Sequence, residues 1–346
     1  MRALILAGGK GTRLRPLTVY TPKPIVPVLN RPFLLYQIDL LRRSGITDIT
    51  LSLSYQPAKI EEVLGDGSDF GVALKYVTEP IPLGTAGAYK FAAGDYDDTM
   101  LVFNGDIITD VDLTEIITSH KNNKAEATIA LKPVEDPSAY GLVETTKDGG
   151  VLNFLEKPKP EQLKDLKVNT INAGIYILEP SILEMIVPNE NASFEYNVFP
   201  QILEEGRKFI AFSLEDNYWR DIGNPSSYLA AHHDFLSGKI KGFEFPEKLP
   251  AEIATAASID KTSIIGEGCI IKPNAQIINS VLGPGVHVEE RAIIENSVLW
   301  GHTRVSAHAE LKGAVIGRAS HIGRNVVIGE GCVLGDKASL PDYSRI

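Results

Sequence analysis

Two different spacings of hydrophobic positions run through the chain. Up to about residue 235, short apolar runs alternate with helical patterns. Residues 2–7 (RALILA) and 99–103 (TMLVF) predict buried strands, and 48–54 (DITLSLS) predicts a half-buried one. Between them, "NRPFLLYQIDLLRRSG" predicts a helix with Asn30 near its N-cap, Pro32 in the first turn and Gly45 closing it after Arg42 and Arg43. Leu34, Ile38 and Leu41 fall on one buried face. Strand, helix, strand order implies right-handed βαβ units. The expected fold is therefore α/β, a Rossmann-like, mostly parallel sheet with helices on both faces. Ligands of such sheets gather at the carboxyl ends of the strands. Both the glycines that follow the first run and "NGD" after "MLVF" lie there.

The last ninety residues follow another period. Aliphatic residues recur every six positions at Ile259, Ile265, Ile271 and Ile277, then slip by five to Leu282. The series continues through Val288, Ile294, Leu299, Val305, Leu311, Ile316, Ile322, Ile328, Leu334 and Leu340. Fifteen inward positions at three per turn make five coils, the middle ones seventeen residues long. This resembles the hexapeptide repeat of a left-handed parallel β-helix. A sandwich of short strands would not sustain so regular a series. The segment 237–257, with two prolines and mixed charge, reads as a link, so the expected domains are 1–236 and 258–346.

Composition narrows the function classes. With 346 residues, 44% hydrophobic and 23% charged, the chain has room for two cores and the make-up of an ordinary globular protein. No apolar run approaches the roughly 18 residues that span a membrane, and the first residues run into the glycine loop without a cleavage-type site. Two cysteines, Cys269 and Cys332, make no disulfide framework, which points to a cytoplasmic location. A net charge of −10 argues against nucleic acid as partner.

The stretch "LILAGGKGTRLRPLT" (4–18) reads as an anion loop. It is not a P-loop, because Lys10 precedes Gly11, and not a dinucleotide fingerprint, because the third glycine position holds Leu14. Backbone N–H groups of Gly8 to Thr12 can crowd around phosphate oxygens, while Arg13 and Arg15 supply bidentate cations. A surface turn with solvated arginines has the same sequence pattern. "TPKP" at 21–24 then places Lys23 between two stiffening prolines.

With these residues, "GGKGTRLRPLTVYTPKP" resembles the signature of the sugar-1-phosphate nucleotidyltransferases. "EPIPLGTAGA" (79–88), "NGD" (104–106), "AYGLVE" (139–144), "FLEKP" (154–158), "NAGIYIL" (172–178) and "YWRDIG" (218–223) follow in that family's order. The resemblance implies the nucleotide-diphospho-sugar transferase fold, a common setting for an appended β-helix. It also implies attack of a sugar 1-phosphate on the α-phosphorus of a nucleoside triphosphate, with pyrophosphate leaving. P-L-G-T-A-G, N-A-G-I-Y and W-x-D-I-G most resemble the members that join GTP to mannose 1-phosphate. By the same resemblance, Gly8, Gly9, Gly11 and Thr12 hold the triphosphate, and the base lies over Leu6, Gly8 and Gly84. Arg13 offsets charge on the departing pyrophosphate, and Lys23 sits by the α-phosphate. Lys157 grips the sugar phosphate, and Gly141, Glu156 and Asn172 meet the sugar. Asp106 and Asp221 match the carboxylates that hold Mg²⁺. Glu195 matches an acidic position without an assigned role, beside unusual neighbours Tyr196 and Asn197.

Plainer readings exist for each. Asp106 could shape a turn, Asp221 could pair with Arg220 at the surface, Glu156 and Lys157 could belong to a solvated charged loop, and Asn172 could cap or turn. Other triphosphates (UTP, dTTP, ATP) with glucose 1-phosphate, or a paralogue that senses nucleotide-sugar without turnover, remain open. The retained Arg13, Lys23, Asp106, Lys157 and Asp221 weigh against the latter. His287, Arg304 and His321, seventeen apart and each one before an inward position, should stack outside one face of the coils. An acyltransferase histidine is conceivable there, but a solvated or subunit-contacting ladder is the simpler expectation, with the coils stabilising the protein and assembling a homo-oligomer.

Overall fold

Strand β1 (Arg2–Leu6) carries the first apolar run into a nine-stranded sheet. The structure, a computed structural model, describes residues 1–157, 168–243 and 249–346. Pro158 of the FLEKP stretch and residues 244–248 of the expected link lie outside these. The chain divides into two compact units, residues 1–9 with 36–219 and residues 10–35 with 220–346.

In the first unit the sheet contains β1, β2 (Asp48–Leu53), β3 (Ala73–Thr78), β4 (Met100–Asn104), β5 (Ala127–Pro133), β6 (Gly141–Thr145), β7 (Val151–Glu156), β8 (Thr170–Leu178) and β9 (Phe209–Ser213). The main path runs β7-β6-β8-β4-β1-β2-β3, with β5 paired to β8 and β9. It is parallel over β4-β1-β2-β3 and mixed beyond, because β8 runs antiparallel to β4, β5 and β6. The expected mostly parallel sheet thus holds for the block that carries the glycine loop. Strand β2 is buried on both faces rather than one, including Thr50 and Ser52. Crossover helices cover both faces of a parallel block, and the small Ser52 hydroxyl is satisfied inside by donating to Glu79 Oε1 at 3.1 Å. An aromatic cluster of Tyr89, Phe154, Tyr176, Phe194, Phe199 and Phe209 fills the core under the antiparallel half.

The predicted helix forms over Leu34–Arg43, with Leu34, Ile38 and Leu41 buried. Gly45, at φ 77°, closes it as the Ile46 N–H returns to the Leu41 carbonyl. Its start is not capped by Asn30. Leu29 and Asn30 instead take left-handed φ values of 46° and 65° in the tight turn of a hairpin, Pro27–Val28 against Arg31–Pro32. That is the backbone a two-residue hairpin turn demands, and Asn tolerates it well.

In the second unit, residues 252–340 stack short parallel strands into three sheets of six, five and five strands. The fifteen aliphatic positions all lie in, or pack against, one core. The strand Glu252–Ile253, inside the segment read as a link, already pairs with Ile270–Ile271. Coil corners take left-handed backbone at residues such as Asn274, Asn279, Asn296 and Asn325. His287, Arg304 and His321 are in register down one sheet; Arg304 Nε donates to Glu289 at 3.1 Å. Both cysteines are free thiols. Among the described residues no helix is long and apolar enough to cross a membrane.

Candidate functional site

The site residues of the first unit start at the carboxyl edge of the parallel block. Leu6 ends β1 in register with Ser52 and Asn104. The Gly105 N–H donates to the Leu6 carbonyl at 2.9 Å, and a Cβ added to Gly105 would meet that oxygen at 2.7 Å. On Gly8 it would lie 3.0 Å from Ser54 Oγ and 3.2 Å from Glu79 Oε1. At Gly105 only glycine lets the backbones come this close, while at Gly8 the nearest neighbours are side-chain ends. Gly9 has no such neighbour within 4 Å, so its backbone is open. Asp106 follows directly, half-buried at the same edge. Gln37 braces this turn from the helix, its Nε2 donating to the carbonyls of Asn104 at 2.9 Å and Ile107 at 3.0 Å.

Glu79 ties the edge to Gly84. Its Oε2 accepts from the Leu83 N–H at 3.1 Å, and Gly84 opens the helix Gly84–Ala93 at φ 72°. The Ala192 carbonyl occupies the first turn of that helix, accepting from Ala86 and Gly87. A side chain on Gly84 would strike this oxygen at 2.4 Å.

The sugar-side residues form a second group. Gly141 and Glu156 are partners across β6 and β7, and a Cβ on Gly141 would sit 2.6 Å from Glu156 Oε2. Lys157 follows at φ 43°, its exposed ammonium 3.4 Å from Glu156 Oε1. Asn172 precedes an irregularity in β8. Its Oδ1 accepts from the Gly174 N–H at 2.9 Å and its Nδ2 donates to the Tyr176 hydroxyl at 2.8 Å. Burial pushes the Glu156 carboxyl up from its ordinary pKa, with the Glu195 charge adding and Lys157 opposing. A carboxyl raised in the folded state favours folding most below its unfolded pKa, and that contribution is lost as pH rises through the folded value. Glu156→Gln should therefore raise the melting temperature at pH 7 by about a degree or two. The gain should vanish at acid pH, which melting curves across pH would check.

Sequence reasoning assigned no role to four residues that bind this group together. Glu195, on a π-helical turn over Phe194–Val198, accepts from Thr85 Oγ1 at 2.9 Å. Tyr176 is fully buried beneath Asn172. Trp219 donates from Nε1 to the Ala173 carbonyl at 2.8 Å, and Tyr140 packs edge-on against it at 5.8 Å. The signals were the match of Glu195 to an acidic position of the family and the aromatic residues flanking "GLVE" and "RDIG".

The second unit carries Gly11, Thr12, Arg13, Lys23 and Asp221. Gly11, at φ 62°, caps a 3-10 turn over Thr12–Leu14. Thr18 Oγ1 donates to its carbonyl at 2.7 Å, and a Cβ there would meet Lys23 Cβ at 3.0 Å. The loop is thereby closed on Lys23, which is buried, while Thr12 and Arg13 are exposed. Asp221 and Arg13 both approach Gly223. A Cβ built there would lie 2.6 Å from Asp221 Oδ2 and 3.1 Å from Arg13 Nη2. Arg220 donates to the buried Asp234 at 2.8 Å, where Lys239 also pairs.

The first unit thus carries a glycine-lined edge of a parallel block and the second a glycine and arginine loop closed on a buried lysine, features of an α/β protein. A family profile described as nucleotidyl transferase matches residues 2–238, and one described as the left-handed β-helix domain of the EIF2B epsilon subunit matches 247–346. The chain belongs to the nucleotidyl transferase family and, with the relatives below, to its sugar-1-phosphate members. It is 36% identical over 287 residues to a mannose-1-phosphate guanylyltransferase of Mycobacterium tuberculosis, covering 81% of this chain and 79% of that one. It is 38% identical over 346 residues to the mannose-1-phosphate guanylyltransferase catalytic subunit beta of Drosophila pseudoobscura pseudoobscura, covering 99% and 90%. A solved structure from Bacillus anthracis, assigned as a glucose-1-phosphate thymidylyltransferase, superposes with a TM-score of 0.62 at 25% identity, covering 71% of this chain and 98% of that one. Enzymes of this kind use a divalent metal.

Proposed function

We propose that the protein joins GTP and mannose 1-phosphate into GDP-mannose, releasing pyrophosphate. The observation that carries the choice of substrates is the name shared by relatives from bacteria, plants, insects and yeast that align over most of the chain. Direct detection of product from GTP with mannose 1-phosphate, against UTP, dTTP and ATP with glucose 1-phosphate, tests it. A clear preference for another pair would overturn the substrate choice.

The chemistry needs no covalent enzyme intermediate, so the residues act by placing two anions and offsetting their charge. In this reading the backbone of Gly8, Gly9, Gly11 and Thr12 holds the triphosphate, and the base lies over Leu6, Gly8 and Gly84. Exposed Arg13 meets the departing pyrophosphate, and buried Lys23 meets the α-phosphate. Glu156 and Asn172, the latter held by Tyr176, accept from or donate to sugar hydroxyls beside the open Gly141. Lys157 binds the sugar phosphate. Lys157→Ala should then raise KM for mannose 1-phosphate about ten- to a hundredfold, the scale of one charge-assisted contact. A rise confined to the KM for GTP would reverse the two phosphate assignments.

Asp106 and Asp221 are proposed as the protein ligands of Mg²⁺. The donor chemistry fits, since both side chains are carboxylates, the oxygen donors that a hard cation takes. Mg²⁺ suits such a place, because it takes one or two carboxylates and completes its shell with phosphate oxygens. When bound, it would withdraw charge from those oxygens. Assembly of a homo-oligomer through the coil stack belongs to the same reading, and sedimentation tests it.

A further inference from the structure

The loop that carries Gly11, Arg13 and Lys23 rests on the coil stack at three places, all within the second unit. In the first, Tyr228 of the helix Pro225–Leu236 donates its hydroxyl proton to the Pro27 carbonyl and accepts from Trp300 Nε1 at 2.9 Å. Trp300 directly follows the coil strand Val298–Leu299, and both rings are buried. In the second, Asn30 Nδ2 donates to the Leu282 carbonyl at 2.8 Å. In the third, Pro16 packs on Gly335, whose added Cβ would lie 3.1 Å from Pro16 Cβ.

The first tie is the one aimed at Lys23. Pro27 is four residues downstream, across a 3-10 turn, Lys23–Ile25, closed by the Val26 N–H on the Lys23 carbonyl. Pro22, Pro24 and Pro27 stiffen this path. A tyrosine hydroxyl has one proton to give. Donation from Trp300 occupies a lone pair on that oxygen and leaves the proton directed at Pro27. His232 packs on the Tyr228 ring at 4.5 Å, and its Nδ1 is hydrogen-bonded to the Tyr228 carbonyl at 2.9 Å. The tie is therefore buried, with the Tyr228 hydroxyl both donating and accepting, and burial is the condition under which a hydrogen bond holds geometry best.

We propose that Trp300, a residue of the coil stack, is a positioning residue for nucleotidyl transfer, setting Lys23 through Tyr228 and Pro27. The proposal rests on the role assigned to Lys23 above. It gives the coil stack a part in turnover as well as in stability and assembly.

Trp300→Phe keeps the ring and removes only the N–H donor. It should lower kcat at 25 °C at least fivefold while leaving KM for mannose 1-phosphate unchanged. Asn30→Asp removes the donor of the second tie and should lower kcat in the same direction. Val305→Ala, in the coil core and no member of any tie, should lower the melting temperature yet keep kcat within about twofold. Wild-type kcat in Trp300→Phe overturns the proposal, as does a Val305→Ala loss as large as that of Trp300→Phe. Should Trp300→Phe fail to fold, Tyr228→Phe, which removes the hydroxyl shared by Trp300 and Pro27, decides by the same criterion. Lys23→Met separates the two layers. Wild-type turnover in that variant sinks the Lys23 reading itself, whereas lost turnover beside an unaffected Trp300→Phe sinks only the positioning role.

Discussion

Asp106→Asn and Asp221→Asn are each expected to lower kcat by about a hundredfold or more, the scale for losing one strong transition-state contact. Asparagine keeps the shape of the side chain and much of its hydrogen bonding while removing one charge. The turn that holds Asp106 has supports besides that carboxylate, since Gly105 is pinned to Leu6 and Gln37 donates to Asn104 and Ile107. Asp221 is anchored through its backbone carbonyl, which accepts from Ser227. Folding should accordingly survive both changes. If the two carboxylates serve one metal, either change already disrupts it, and the double variant should lose little beyond the single ones. Turnover titrated against Mg²⁺ for both single variants and the double one decides. Fully additive losses, or a wild-type Mg²⁺ response in either single variant, would mean that the two residues do not share an ion.

Gly223→Ala should separate activity from stability. Its new methyl would lie 2.6 Å from Asp221 Oδ2 and 3.1 Å from Arg13 Nη2, so both groups must move. Each is the far end of a flexible side chain, and Gly223 lies outside the left-handed backbone region, so the fold accommodates the methyl cheaply. The loss of glycine freedom in the unfolded chain even favours folding slightly. A displacement of about 1 Å at a reacting centre, however, can cost up to a hundredfold in rate. We expect kcat/KM to fall at least tenfold with a melting temperature within about 2 °C of wild type. A stable variant with wild-type kinetics would remove Arg13 and Asp221 from the chemistry.

Much of this architecture was legible before any coordinates. A six-residue period leaves one inward position per face, so Ile259 through Leu340 could be placed in the coil core from spacing alone. The runs RALILA and MLVF were equally plain, because central strands of a parallel block need apolar residues on both faces. Sequence alone also determined the candidate chemistry: glycines where backbones must touch, and Arg13, Lys23, Asp106, Lys157 and Asp221 in a family's order.

Other features had no local signature. Asn30 read as a helix cap because Asn suits both a cap and a left-handed hairpin turn, and only the pairing of Pro27–Val28 with Arg31–Pro32 chose between them. Thr50 and Ser52 read as solvent-facing because hydroxyls carry no mark of a helix packed over them. The bracing of Asp106 by Gln37 and of Asn172 by Tyr176, and the meeting of Trp300, Tyr228 and Pro27, join residues whose sequence separation no period encodes. Above all, tertiary structure decided that residues 10–35 group with the coil stack. Hydrophobic spacing reports which face of an element is buried; it does not report which other element buries it.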